Sequence, residues 1–247
     1  MSIELKEQWI SRPGLHIYIT AEGEKMLNLL LVDSEIETVP QEIANHPAVR
    51  TNSAKRKKPA SQILLDATIH HSAMRRLAGA DRRGRPDIVH FFLLLGLESV
   101  LSHRGLLRVF VHTRNDELIV VDPATRLPKN YPRFVGLMES LFADKAVPSR
   151  GAPLLKLNEG YNFKRCVDEI PHSGAIVLSE QGKRVRLKEH LLGKEDLLCV
   201  IGGFSKGDFG SDVYSEADEV ISIFEEPLTV WTVASELIVN YENALGI

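Results

Sequence analysis

Three groups of residues in this chain have types and spacings that could do chemistry, and none is a conventional set of side-chain catalysts. The first is a series of turns at the ends of apolar runs: Leu178-Ser179 with Gly182, Gly202-Gly203 with Gly207, and Ile223–Leu228. Glycines let a backbone approach a ligand closely, and exposed N–H and C=O groups then supply hydrogen bonds without any side chain. Taken alone, such turns favour a structural role, because glycine after a strand is ordinary punctuation. The second group is Arg85-Pro86-Asp87, where proline restricts the chain so that a carboxylate two residues away can hold a guanidinium at a fixed angle for a planar or phosphate partner. On its own it reads as a surface ion pair. The third is Arg126, Lys129 and Arg133, at helical spacing, although Pro128 and Pro132 argue against one continuous helix, so that convergence must come from a loop.

The elements that must position these groups follow from periodicity. Leu27–Asp33 is the first strong strand, Val39–Asn45 reads as a short helix stopped before Pro47, and Lys55–Lys58 sits in a Ser/Lys/Pro segment that reads as loop. Ile63–Leu77 places Leu65, Ile69, Ala73 and Leu77 on one helix face, and Asp87–Leu101 is a second helix with a buried run Phe91–Leu95. Leu106–Thr113 and Glu117–Val121 are strands joined at Arg114-Asn115-Asp116, and Tyr131–Phe142 is a helix with Pro132 in its first turn. Beyond this, helix Phe163–Ile170, strand Ala175–Leu178, helix Leu187–Leu192, strands Leu197–Ile201 and Glu219–Ile223, and helix Thr229–Leu245 alternate as in an α/β fold with a mostly parallel sheet. Ligands in open sheets of this class bind at adjacent strand ends, where the glycine turns lie. His16–Thr20 alternates as an edge strand or arm would, with no role assigned.

Composition narrows the function classes. The chain has 247 residues and 44% hydrophobic residues, enough for one large domain or one domain with an insertion. The formal net charge of −3 hides an asymmetry: Arg50–Pro86 holds ten Arg and Lys against Asp66 and Asp81, a local excess of +8 that leaves −11 elsewhere. A basic segment on an acidic protein points to a localised polyanion site. Cys166 and Cys199 are too few and too far apart for a zinc site or a disulfide framework, which points to a reducing compartment. The paired His70-His71 point apart on a helix and lie outside any HExxH pattern, so no metal is expected. MSIELKEQW lacks a signal-peptide core and no run reaches membrane-spanning length, so a soluble, cytoplasmic protein with no membrane partner is expected. GGFSKG lacks the G-x-G-x-x-G spacing and no Walker A pattern occurs, which argues against the common nucleotide fingerprints.

GRPDIVH (Gly84–His90), LRVFVHTRND (Leu107–Asp116), TRLPKNYPRFVGLMESLF (Thr125–Phe142), VIGGFSKGDF (Val200–Phe209) and ISIFEEPLTVWTVASELI (Ile221–Ile238) together resemble the ribosome-biogenesis pseudouridine-N1-methyltransferases of the SPOUT α/β-knot class. The resemblance runs in order from about Leu27 to the end. It implies an α/β fold, a mostly parallel sheet flanked by helices with a carboxyl-terminal trefoil knot and a small β-rich insertion, in a homodimer. It divides the chain into an extension 1–25 and a methyltransferase domain 26–247, with RNA-contacting parts in about 50–133 and the knotted part in about 172–247. The implied reaction is methyl transfer from S-adenosylmethionine, leaving S-adenosylhomocysteine, to N1 of a pseudouridine in small-subunit ribosomal RNA. Carried over by position, the cofactor would meet Leu178, Ser179, Gly202, Gly203, Gly207, Ile223, Phe224, Glu225, Glu226, Pro227 and Leu228. Arg85, Arg126, Lys129 and Arg133 would contact RNA, with Arg85 and Asp87 as the catalytic pair. Lys129 departs from the arginine common there, keeping the charge and losing the bidentate fork. The alternative is an RNA-binding assembly factor that uses the cofactor for stability.

Overall fold

The computed structural model describes residues 8–12, 15–19 and 25–247. Strands β1 (Gln8–Arg12) and β2 (Leu15–Ile19) pair antiparallel in a two-stranded sheet of their own. The alternating piece at His16 is therefore strand as far as Ile19, while Thr20 and most of the expected extension lie outside the described residues.

β3 (Leu27–Ser34) alternates between two apolar layers, with Leu27, Leu29 and Leu31 in one and Leu30 and Val32 in the other, as the two-residue period of a strand buried on both faces requires. The next segment departs from expectation. Val39–Asn45 contains only a single tight turn at Gln41–Ile43, and helix α1 (Pro47–Arg56) starts at the proline expected to stop one. Proline has no N–H to lose at the first helical position, and His46 caps the end by accepting the Ala48 N–H. Lys55 and Arg56 therefore lie in the last turn of α1 and not in a loop, and Lys57 closes it in a left-handed conformation (φ 54°). α2 (Ala67–Met74) is shorter than its apolar spacing suggested, because Asp66 caps it at Thr68. The expected helix Asp87–Leu101 divides into α3 (Pro86–Leu97) and α4 (Val100–His103), the second capped by Ser99.

β4 (Leu107–Thr113) and β5 (Glu117–Val121) form the expected antiparallel pair, with Asp116 left-handed (φ 56°) in the turn. There follow α5 (Tyr131–Asp144), β6 (Ala146–Val147), β7 (Leu155–Glu159), α6 (Phe163–Glu169), β8 (Gly174–Arg184), α7 (Leu187–Leu191), β9 (Leu197–Gly202), α8 (Val213–Glu216), β10 (Glu219–Ser222) and α9 (Val230–Leu245). The main sheet has the order β10-β8-β9-β3-β4-β5-β7-β6. From β10 to β4 every pairing is parallel, and β5, β7 and β6 extend the sheet antiparallel. The β-rich insertion is thus one wing of the main sheet. One core holds α3, α5, α7 and α9 against one face of the sheet, and a second holds α6 and α8 against the other. A small third core lies between α1 and α2, around Val49, Leu65 and Met74.

The basic segment is less free than its composition suggests. Arg56 and Lys58 both reach the buried Glu139 of α5, Lys58 at 2.8 Å. Arg82 pairs with Glu35 at 2.8 Å, and Arg83 grips Glu37 through two bonds of 2.7 Å. Glu35 and Glu37 are buried, and Arg114 also binds Glu35 at 2.6 Å. Four of the ten cations thus pair with buried carboxylates, while Arg50, Lys55, Lys57, Arg75 and Arg76 remain exposed.

Cys166 and Cys199 are free and buried, and burial pushes each thiol up to about 12. The thiolate is the reactive form, so a maleimide at pH 7 is expected to leave the folded protein unlabelled and to label both cysteines in denaturant. Rapid labelling without denaturant would contradict that packing.

Candidate active site

Strands β8, β9 and β10 bring three turns together at their carboxyl ends. β10 follows β8 in register until Val220 opposite Val177, and then resumes with Ile221 opposite Lys183. Residues Leu178 to Gly182 are thereby left out of the ladder, and Leu178, Ser179 and Glu180 form one wall of a cavity. Gly182 is where the chain returns, in contact with β10: a Cβ there would lie 2.5 to 2.7 Å from the backbone atoms of Ile221. The turn after β9 is fixed as tightly. Gly203 donates its N–H to the Val32 carbonyl at 2.6 Å, its carbonyl accepts the Glu35 N–H at 3.2 Å, and a Cβ on it would come within 2.7 Å of Ser34 Cα.

These turns enclose about 410 Å³, within the range of small-molecule sites. Leu178, Ile201, Ile221, Val230 and Val233 make apolar walls, while Ser179, Glu180, Lys206, Asp208, Ser222 and Glu226 supply polar ones. Of the residues named from the sequence, Leu178, Ser179, Gly202, Gly207, Ile223, Phe224, Glu226, Pro227 and Leu228 line the space. Gly203 and Glu225 do not: Gly203 is packed against Ser34 and Glu225 is exposed.

Several organising residues carried no local signal. Tyr214 donates its hydroxyl hydrogen to Asp208 Oδ1 at 2.5 Å and lies 3.1 Å from Ser179 Oγ, while Gln181 donates to Asp208 Oδ2 at 2.7 Å. Burial raises the Tyr214 hydroxyl above its ordinary range, and Asp208 adds to this. Partial burial opposes ionisation of Asp208, yet the bonds from Tyr214, the Phe209 amide and Gln181, with Arg82 nearby, hold its carboxyl below the usual range. Asp33, left-handed at the end of β3 (φ 53°), accepts the Gly210 N–H at 2.7 Å and the Ser211 N–H at 3.0 Å, and so pins the far end of the same loop. An acidic residue at the carboxyl end of a central strand was the one available hint.

The Tyr214 bond is the simplest to test. Tyr214→Phe leaves the ring packed against Phe209 (5.8 Å, edge-on) and removes the bond to the ionised Asp208 together with the contact to Ser179 Oγ. Bonds to charged groups contribute about 1.5–3 kcal/mol and this one is partly solvated, so the S-adenosylhomocysteine that the resemblance implies should bind about three- to tenfold more weakly. Calorimetric titration checks this, and unchanged affinity would count against the role of Tyr214.

The second half of the site begins at Arg85, which precedes α3 with Pro86 at the first helical position. Arg85 holds Asp87 through Nε to Oδ1 at 2.8 Å and a second nitrogen to Oδ2 at 2.7 Å. The bond to Asp87 raises the guanidinium above its ordinary range, against burial, with Tyr131 and Asp66 contributing. Tyr131 donates to Asp66 Oδ2 at 2.7 Å, and burial followed by that bond pushes its hydroxyl far up, so it is no base at neutral pH. His90 stacks on Phe134 at 4.3 Å and donates Nε2–H to the Pro128 carbonyl at 2.8 Å, which fixes the loop before α5 against α3. Arg126, Lys129 and Arg133 are exposed on that loop and the first turn of α5. Lys129 makes a long surface pair with Glu98 at 3.4 Å, while Arg126 and Arg133 have no carboxylate partner among the described residues.

The two halves meet at Glu35. Glu35 N–H donates to the Gly203 carbonyl, and the Glu35 carbonyl accepts the Arg85 N–H at 2.8 Å. His70 is structural: its Nδ1 accepts the Asp66 N–H at 3.0 Å and Nε2 lies 2.9 Å from Asn52, while burial lowers its affinity for a proton. Among the described residues no group of three or more His, Cys, Asp or Glu is placed to hold a metal ion.

Comparison with known proteins gives a consistent answer. Residues 29–242 match the family model described as EMG1/NEP1 methyltransferase. A protein of Methanothrix thermoacetophila, named ribosomal RNA small subunit methyltransferase Nep1, is 58% identical over 218 residues, covering 88% of this chain and 96% of that protein. The protein of the same name from Thermococcus onnurineus is 46% identical, covering 88% and 99%. The crystal structure of Archaeoglobus fulgidus Nep1 bound to S-adenosylhomocysteine superposes with a TM-score of 0.80 at 36% identity, covering 90% of this chain and all of that one. Such coverage, over a chain whose strand-end cavity and Arg85–Asp87 pair fall inside the matched residues, places the protein in the EMG1/NEP1 methyltransferase family.

Proposed function

We propose that the protein transfers a methyl group from S-adenosylmethionine to N1 of a pseudouridine in small-subunit ribosomal RNA. The observation that carries this reading is a cavity of about 410 Å³ at the ends of β8, β9 and β10, joined through the backbone of Glu35 to a fixed Arg85. The residues present fit the methyl donor. Apolar Leu178, Ile201, Ile221 and Val230 suit a purine, and the carboxylates of Glu180, Asp208 and Glu226 suit a ligand with cationic amino and sulfonium groups. When bound, that group supplies an activated methyl.

The chain's own residues then supply alignment. Displacement at a methyl carbon gains mainly from proximity and orientation, which turns fixed as tightly as Gly182 and Gly203 provide. Transfer to N1 requires its proton to pass to solvent water, which leaves negative charge over the uracil ring, and Arg85, aimed by Asp87, would stabilise that charge. Arg126, Lys129 and Arg133 serve as phosphate contacts, with Lys129 acting as a point charge.

The carboxyl-terminal part from about 172 to 247 is read as knotted. In support, β10 lies beyond β8 in the sheet while α9 returns across it to pack on α3, α7 and β9. A homodimer is part of the same proposal: Phe91 of α3 and Trp231 of α9 are exposed with rings 5.4 Å apart, an apolar pair that a second copy would cover. Among the described residues no helix is long and apolar enough to cross a membrane, and a cytoplasmic location is proposed with the rest.

Transfer of a labelled methyl group separates this reading from that of an assembly factor. Purified protein with labelled S-adenosylmethionine is expected to label small-subunit ribosomal RNA and to leave large-subunit RNA unlabelled. No transfer to either, with S-adenosylhomocysteine still bound, would favour the assembly factor.

A further inference from the structure

The segment between α2 and α3 carries Arg85, but its most connected side chain is Arg82, which points the other way, toward the cavity. Arg82 Nε donates to the buried Glu35 Oε1 at 2.8 Å, and a terminal nitrogen donates to the Asp208 carbonyl at 2.7 Å. Its guanidinium also lies 4.2 Å from the centre of the Phe204 ring. Phe204 and Asp208 are both walls of the cavity. Next to Arg82, Asp81 pairs with Lys206, another wall residue, at 2.9 Å. The loop Phe204–Phe209 is therefore tied from outside the knotted part, by a segment only three residues from the arginine that faces the acceptor.

We propose that Arg82 is a latch that makes cofactor binding and RNA binding mutually favourable. The inference rests on the function proposed above only in taking RNA as the ligand of Arg85. A planar guanidinium held at Nε by a buried carboxylate has one orientation, and in it Arg82 closes the loop by a bond to backbone, which side-chain rotation in the loop cannot break. RNA that engages Arg85 fixes the segment Asp81–Arg85, and with it the Arg82 bond to the loop. A cofactor that orders the loop fixes Arg82, and through it the position of Arg85. Linkage requires the effect to be reciprocal.

Arg114 provides the control. It binds the other oxygen of the same carboxylate, Glu35 Oε2, at 2.6 Å, and none of its bonds reaches the cofactor loop. Arg82→Gln leaves Glu35 partnered by Arg114, and Arg114→Gln leaves it partnered by Arg82, so each variant loses one guanidinium from the same site. A merely structural role would make them equivalent.

The experiment is calorimetric titration of S-adenosylhomocysteine into full-length wild type, Arg82→Gln and Arg114→Gln, with and without saturating small-subunit ribosomal RNA. RNA binding is read separately by filter retention, and folding by thermal midpoint. In wild type, RNA is expected to tighten S-adenosylhomocysteine binding by about 5- to 150-fold, the usual span of such coupling. The ratio should fall to near one in Arg82→Gln and persist in Arg114→Gln, with both variants folded. A ratio near one in wild type with RNA bound, or an equal ratio in wild type and Arg82→Gln, overturns the latch. RNA that fails to bind wild type at all overturns the latch together with the ribosomal RNA reading, and the filter assay identifies that case.

Discussion

Arg85→Gln is expected to lower the rate of methyl transfer by about 100- to 1000-fold, the usual effect of removing one preorganised donor to developing negative charge. S-adenosylhomocysteine affinity should stay within about twofold of wild type. The asymmetry follows from placement. Arg85 is at the start of α3, gripped by both oxygens of Asp87, and is not a wall of the cavity. Glutamine keeps hydrogen-bonding capacity at the level of Nε and loses the terminal guanidinium nitrogens with the charge, so what is lost is the response to charge forming on the acceptor. Pre-steady-state transfer under cofactor saturation, beside calorimetric titration, separates the two quantities. Equal losses in rate and cofactor affinity, or an unchanged rate, would remove Arg85 from the chemistry.

Gly182→Ala should do the reverse and strike the cofactor first. The added Cβ would stand 2.5 Å from the Ile221 carbonyl carbon and 2.6 Å from its nitrogen, and neither atom can rotate away. β8 and β10 must separate where the ladder resumes, and the walls Leu178–Glu180 and Ile221–Leu228 move apart with them. Overpacking of this kind costs about 1–3 kcal/mol, which for a chain of this size lowers the thermal midpoint by roughly 3–10 °C. Contacts to a ligand held between these walls lose a comparable amount, about 1–3 kcal/mol, so S-adenosylhomocysteine binding should weaken by about 5- to 150-fold in a protein that still folds. Wild-type affinity in Gly182→Ala would mean that the crossing of these strands does not shape the cavity.

The sequence made the cofactor side more legible than the acceptor side, for physical reasons. Strands such as Leu197–Gly202 announce themselves through an apolar run closed by glycine, and the cavity at their ends is built mostly by the turns, so reading the strands located its walls. Pro47 and Pro132 both occupy the first turn of a helix, where proline has no intrahelical N–H to lose, so a proline marks a helix start as readily as a stop. The local excess of charge in Arg50–Pro86 overstates the number of free cations, because carboxylates that absorb part of it, Glu35, Glu37 and Glu139, lie outside that window. Asp208, Tyr214 and Arg82 were invisible for a related reason. Their importance lies in whom they touch, and Arg82 is 126 residues from the carbonyl it binds.

The most direct test of the whole account is nucleoside analysis by mass spectrometry after reaction. Two otherwise identical small-subunit RNA fragments, one with pseudouridine and one with uridine at the target, are incubated with the protein and S-adenosylmethionine, digested and compared. The proposed reaction yields 1-methylpseudouridine from the first and no methylated nucleoside from the second. Methylation of both RNAs, a methyl on ribose oxygen, or no product from either while S-adenosylhomocysteine binds would contradict it.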